Sequence, residues 1–214
     1  MLEALLISLK LSLLTTLILL SVSIPISYLI AYRNLRGKEI LEALLVLPIL
    51  LPPTVLGFYL LYIFSPSSPL GKVISLFSFE ALLVGSVIYS LPFGVFPVKD
   101  AFSGIDRRYI ETAYVFGYSP LETFLKVILP LSSRGVFTAT ALVFAHTMGE
   151  FGVVLMIGGN IPGETRTLSI YIYDEVQALN YSEAHRASLL LLSVSLVALV
   201  LILLFRRRWQ TEYT

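Results

Sequence analysis

The chain has 214 residues, of which 57% are apolar and only 14% charged, against ~45–50% and ~25% in ordinary soluble domains. A water-soluble fold has nowhere to hide that surface, and a mean hydropathy of +0.86 gathered into long blocks reads as membrane spans. A net charge of +1 and the absence of cysteine exclude general attraction to nucleic acid, disulfides and thiolate metal sites.

The N-terminus, Met1-Leu2-Glu3, lacks a basic stretch, and no small-residue cleavage pattern follows it, so the first apolar run is expected to be a retained helix. It runs from about Leu11 to Tyr32, the length a bilayer demands, and stops at Arg33, Arg36 and Lys38. Residues 2–9 are expected to lie in the interface, and Lys10 to snorkel along its own stem rather than touch substrate. The second block, about Leu41 to Phe64, holds Pro48, Pro52, Pro53 and Gly57, each of which removes or weakens a backbone hydrogen bond. A bent helix is expected, facing the bundle or a cavity, because irregular backbone is tolerated at membrane depth only under cover. Ser65 to Gly71 is a turn.

A third block spans about Ala81 to Val98, a fourth about Gly135 to Ile157, and a fifth about Ala187 to Phe205, which closes on Arg206, Arg207, Arg208 and the interfacial Trp209. Arg33 to Lys38, the stretch holding Lys99, Arg107, Arg108, Lys126 and Arg134, and the C-terminal arginines all fall on one side of a five-span topology; Lys72, Arg166 and Arg186 fall on the other. The positive-inside rule therefore puts the N-terminus outside and the C-terminus in the cytoplasm.

Between the third and fourth blocks lies a polar segment of a different character. Asp106 can cap a short helix supported by ion pairs from Arg107 and Arg108 to Glu111, Gly117 ends it, and Ser119-Pro120-Leu121-Glu122 is a capping box that starts a second. Ile105, Tyr109, Ala113 and Phe116 offer apolar and aromatic contacts, a shape suited to a groove on a partner. Glu111-Thr112-Ala113, three residues, Gly117, nine residues, then Val127-Ile128-Leu129-Pro130 resembles the EAA loop of ABC importer permeases. The spacing holds throughout, with Thr112 for the usual Ala and Val127 for Ile. Leu47 to Gly57 resembles the second-helix motif of molybdate and tungstate permeases, and Gly149-Glu150-Phe151-Gly152 with Gly159 to Thr167 is similar to the end of their fourth helix and the loop after it. Sulfate permeases carry modified forms of these two stretches.

His146 stands four residues before Glu150 on the same face, where the two can share a hydrogen bond or ion pair. Intramembrane ionisable groups are functional candidates, but a carboxylate would repel a dianion, so a polar clasp between helices or subunits is the expected role. Arg134 fits the positive-inside pattern or assists an anion by its charge alone; Arg166 can assist an anion, pair with Glu164 or meet a docked binding protein. Asp174, Glu175, Glu183 and His185 lack metal-ligand spacing and read as an exposed polar loop. No phosphate-binding loop occurs, so ATP is expected to bind elsewhere.

Together these features identify an all-α membrane protein of about five transmembrane helices plus a coupling-helix segment, one permease domain over residues 1–214, with coupling at about 105–130 and an outer loop at about 158–186. The resemblance implies the pore-forming permease of an ATP-driven importer of molybdate or tungstate, with sulfate or another oxyanion as the alternative, and no catalytic activity, cofactor or metal in this chain. It implies as partners a second permease copy, a cytoplasmic ATPase dimer carrying ATP and Mg, and an external oxyanion-binding protein. Glu111, Ala113, Phe116, Gly117 and Pro130 are the ATPase-coupling candidates; Pro52, Pro53, Gly57, His146, Glu150 and Arg166 are the pathway or interface candidates. A secondary transporter or channel would be expected to show paired repeats or broken helices with ionisable residues near the midplane, of which five spans with one His/Glu pair supply little, and a membrane enzyme a nucleophile or metal constellation near the bilayer surface.

Overall fold

The computed structural model describes residues 1–213, with side chains to residue 206, and among these the regular structure is entirely helical. The side chains of Arg207, Arg208 and Trp209, expected to close the fifth span, lie outside the described residues. Three helices are long and apolar enough to cross a bilayer alone: α1 (Leu2–Tyr32), α4 (Phe79–Ser103) and the apolar part of α11 (Tyr181–Tyr213). Two bent pairs, each counted as one span, bring the number to five.

The first of these pairs is α2 (Lys38–Leu50) with α3 (Pro53–Ile63), bent by 105° where Pro52 and Pro53 interrupt the ladder of backbone bonds. The bend was expected; its setting differs. Leu45 is the only buried residue of α2, and most of both helices lies open on this chain. The second pair joins α7 (Leu129–Leu131) and its lead-in to α8 (Ser133–Gly149). The fourth apolar block does not run on to Ile157: Glu150 is extended, and α9 (Gly152–Gly158) sets off separately. Residues 2–9 also differ from expectation, since they continue α1 and bury Ala4, Leu5, Ile7 and Ser8.

α1 and α4 form the most extensive packing in the molecule, and their contacts advance together. Ser23 sits against Gly94, the Ser27 hydroxyl donates to the Val95 carbonyl at 2.8 Å, and the Tyr32 hydroxyl donates to the Phe102 carbonyl at 2.8 Å. The two helices are therefore parallel. α8 runs antiparallel to them, with Gly135 against Pro97 and Ala101 at one end and Glu150 beside Ser86 at the other. At that second end, one apolar core joins Leu11 of α1, Leu56 and Leu60 of α3, Leu82 of α4 and Val153 and Ile157 of α9. The chain then forms α10 (Leu168–Gln177), which packs on α11. Much of the outer loop expected at 158–186 is thus helical.

Candidate functional site

The polar segment folds as its local chemistry dictates. Asp106 caps α5 (Arg107–Val115), accepting from the Arg108 amide at 2.9 Å. Gly117 adopts φ +81, and the Gly117 and Tyr118 amides donate to the Tyr114 and Ala113 carbonyls at 3.0 Å each. Those paired bonds are a Schellman termination, which needs a left-handed residue at this point. Ser119 and Glu122 then complete the capping box of α6 (Pro120–Thr123). A π-turn over Phe124–Ile128 follows; it loosens the helix just before Pro130, which has no amide to donate.

Two expectations about this segment change. Among the described residues, neither Arg107 nor Arg108 reaches Glu111; Arg108 stands 3.9 Å from Asp106 instead, and both groups are exposed, so little stability rests on it. Ala113 is only 4% exposed, turned into its own chain, whereas Phe116 is 78% and Val115 86% exposed. Tyr109 and Glu111 also face out. Ile105, Ile110 and Phe124 face inward onto Val98, Phe102 and Ile128. Tyr28 meets Phe124 at 5.3 Å and Phe102 at 6.3 Å between ring centres, edge to face, a favoured aromatic geometry. The segment is thereby seated on the ends of α1 and α4. Pro130 lines an open groove of about 640 Å³ with Ile24, Lys126, Val136 and Phe137.

Deeper in the bundle, His146 and Glu150 do not bond to each other. Each takes a serine of α4: the Ser86 hydroxyl donates to Glu150 Oε2 at 2.7 Å, and Ser90 Oγ lies 2.8 Å from His146 Nδ1 and 3.2 Å from Thr147 Oγ1. Ser86 and Ser90 are one helical turn apart, as are His146 and Glu150, so antiparallel packing matches them in register. Pro52 and Pro53 are exposed, yet Pro53 meets the second helix break: a Cβ on Gly152 would stand 2.8 Å from the Pro53 Cβ. Gly57 lies as close to Met156, where an added Cβ would stand 2.8 Å from the Met156 Cβ. α3 and α9 are thus drawn together by a glycine from each.

Residues 23–210 match the family described as binding-protein-dependent transport system inner membrane component. The chain belongs to this family. It is 47% identical over 191 residues to the molybdenum transport system permease protein ModB of Azotobacter vinelandii, covering 86% of this chain and 84% of that one. It is 31% identical over 208 residues to ModB of Escherichia coli K12, covering 94% and 90%. A bacterial alginate ABC transporter, solved in complex with an alginate pentasaccharide-bound periplasmic protein, has a chain that superposes with a TM-score of 0.81 at 18% identity, covering 97% of this chain and 78% of its own, and so shares the fold.

In this permease Arg166 is not paired with Glu164. Its Nε donates to Asn160 Oδ1 at 2.7 Å and stands 3.5 Å from Asp174 Oδ2, while Asn160 Nδ2 donates to the same carboxylate at 3.0 Å. This clasp ties the loop after α9 to α10. Among the described residues no group of acidic and histidine side chains is arranged to hold a metal; Asp174 is engaged by Arg166 and Glu183 by Arg186 at 2.7 Å. Sequence reasoning missed Ser86, Ser90, Tyr28 and Phe124. Buried serines spaced by four in α4, and Tyr28 with Tyr32 likewise in α1, are the signal that marked one face of each helix.

Proposed function

We propose that this chain is the membrane-spanning permease subunit of an ATP-driven importer, forming the path for molybdate or tungstate. The observation that carries the reading is the 47% identity, across most of both chains, to a relative named for molybdenum transport. The capped segment from Asp106 to Pro130 supports it, since Glu111, Phe116 and their exposed neighbours form a rigid aromatic knob that a cytoplasmic ATPase can receive. ATP and Mg belong to that partner dimer. An external binding protein delivers the oxyanion, which suits a path that must release its cargo. A second copy of the chain pairs along the open α2–α3 surface, where Leu50, Tyr59 and Tyr62 are 72%, 55% and 70% exposed.

Proteoliposomes holding the permease with its ATPase and binding protein are expected to accumulate labelled molybdate only when ATP is supplied. Accumulation of sulfate in place of molybdate and tungstate overturns the cargo assignment. Accumulation without the ATPase overturns the class. Orientation rests on the loop charges, with the N-terminus outside and the coupling segment and C-terminus in the cytoplasm. Ser67→Cys is expected to react with an impermeant maleimide from outside and Ser103→Cys only after the membrane is opened. Outside labelling of both would contradict that topology.

A further inference from the structure

We propose that Glu150, held by Ser86, is a positioning residue that locks the joint between α8 and α9, and so fixes how the α3–α9 pair is seated on α4. The inference goes beyond the transport reading and takes only its functional consequence from it. Glu150 sits where the helix stops: its backbone is extended at φ −63, ψ 131, and Phe151 follows at φ −129, ψ −63 before α9 begins. Nothing in the helical ladder fixes that angle. Two long-range bonds act there, beside the packing of α9 on α3 and α4. The Glu150 carboxylate accepts from Ser86 of α4 at 2.7 Å, and its carbonyl accepts from the Ser169 hydroxyl of α10 at 2.6 Å.

Glu150 is only 4% exposed and Ser86 is fully buried, so water cannot replace the bond between them at low cost; the Ser169 bond is partly buried. Beyond the joint, α9 is seated on α3 through Gly152 against Pro53 and Gly57 against Met156. α9 also packs on α4, with Gly85 against Ile157 and Gly158 against Leu82, so a change of angle at Glu150 must carry α3 with it and loosen those contacts, and the Ser86 bond is the polar tie that opposes it.

The test uses purified permease in nanodiscs, followed by hydrogen exchange. Ser86→Ala removes one hydroxyl and is expected to speed exchange of the amides at 152–158 by about tenfold, the loss of one buried hydrogen bond, with the amides at 136–146 unchanged. Glu150→Gln keeps an oxygen that can accept from Ser86 and is expected to exchange like the parent; Glu150→Leu is expected to match Ser86→Ala. In the reconstituted importer, Ser86→Ala is expected to move several-fold less molybdate per ATP hydrolysed, and Glu150→Gln to keep the parental ratio. Unchanged exchange in Ser86→Ala overturns the lock, as does a Glu150→Gln variant as impaired as Glu150→Leu. An unchanged transport ratio in Ser86→Ala overturns the functional consequence. If the parent importer moves no molybdate while the exchange pattern holds, the cargo reading fails and the joint stands.

Discussion

Replacement of Gly135 by valine is expected to prevent the bundle from assembling. α8 crosses α4 at this glycine, where a Cβ would stand 2.5 Å from the Pro97 carbonyl oxygen and would also strike the Ala101 methyl. The obstacle is backbone and cannot rotate away. Overpacking at a buried contact costs ~1–3 kcal/mol when side chains can adjust, and a rigid carbonyl puts this case at or above the upper end. The variant is expected to give little monodisperse protein in fluorescence-detected size exclusion, with Gly135→Ala intermediate. Gly149→Ala is the control: a Cβ there meets nothing within 4 Å, so its elution is expected to match the parent. Equal yield and thermal stability for Gly135→Val and the parent would refute the contact.

Replacement of Gly117 by valine is expected to leave the membrane helices intact and abolish ATPase capture. The effect is purely one of backbone, because a Cβ at Gly117 also meets nothing within 4 Å. What valine cannot do cheaply is hold φ +81, a left-handed conformation that costs an ordinary residue ~1–2 kcal/mol and a β-branched one more. The bonds to Tyr114 and Ala113 then fail, and Phe116 loses its fixed place between α5 and α6. Asparagine tolerates that conformation, so Gly117→Asn is expected to retain most of the binding. Co-purification of the ATPase reads the result, with monodispersity of the permease as the measure of its fold. Undiminished capture by Gly117→Val means the coupling surface lies elsewhere. Ala113→Asp is a less specific probe, since it buries a charge inside the permease's own segment rather than at the partner's surface.

The segment from Asp106 to Pro130 was legible because its instructions are local. Asp106, Gly117, Ser119 and Glu122 each act on backbone groups within a few residues, so sequence order alone specifies the caps. Hydropathy likewise located the apolar blocks, and Pro52 and Pro53 marked the bend. The break at Glu150 was hidden within an apolar block because its cause is remote: the serine that fixes the carboxylate lies 64 residues away. The inward turn of Ala113 was illegible for the same reason, since the surface that α5 sits on comes from α1 and α4. Arg166 found Asp174 rather than Glu164 because the loop after α9 folds back on α10, a path no neighbouring residue announces.

The 105° bend also bears on how the chain enters the membrane. α2 has 13 residues, which at 1.5 Å per residue make ~20 Å, short of the ~30 Å of a hydrocarbon core. Newly made, α2 cannot cross alone. Its half-buried Glu42 pairs at 3.3 Å with Lys99, a residue synthesised more than fifty positions later. The second apolar block therefore spans only as α2 and α3 together, and Glu42 gains its Lys99 partner only once α4 has been made.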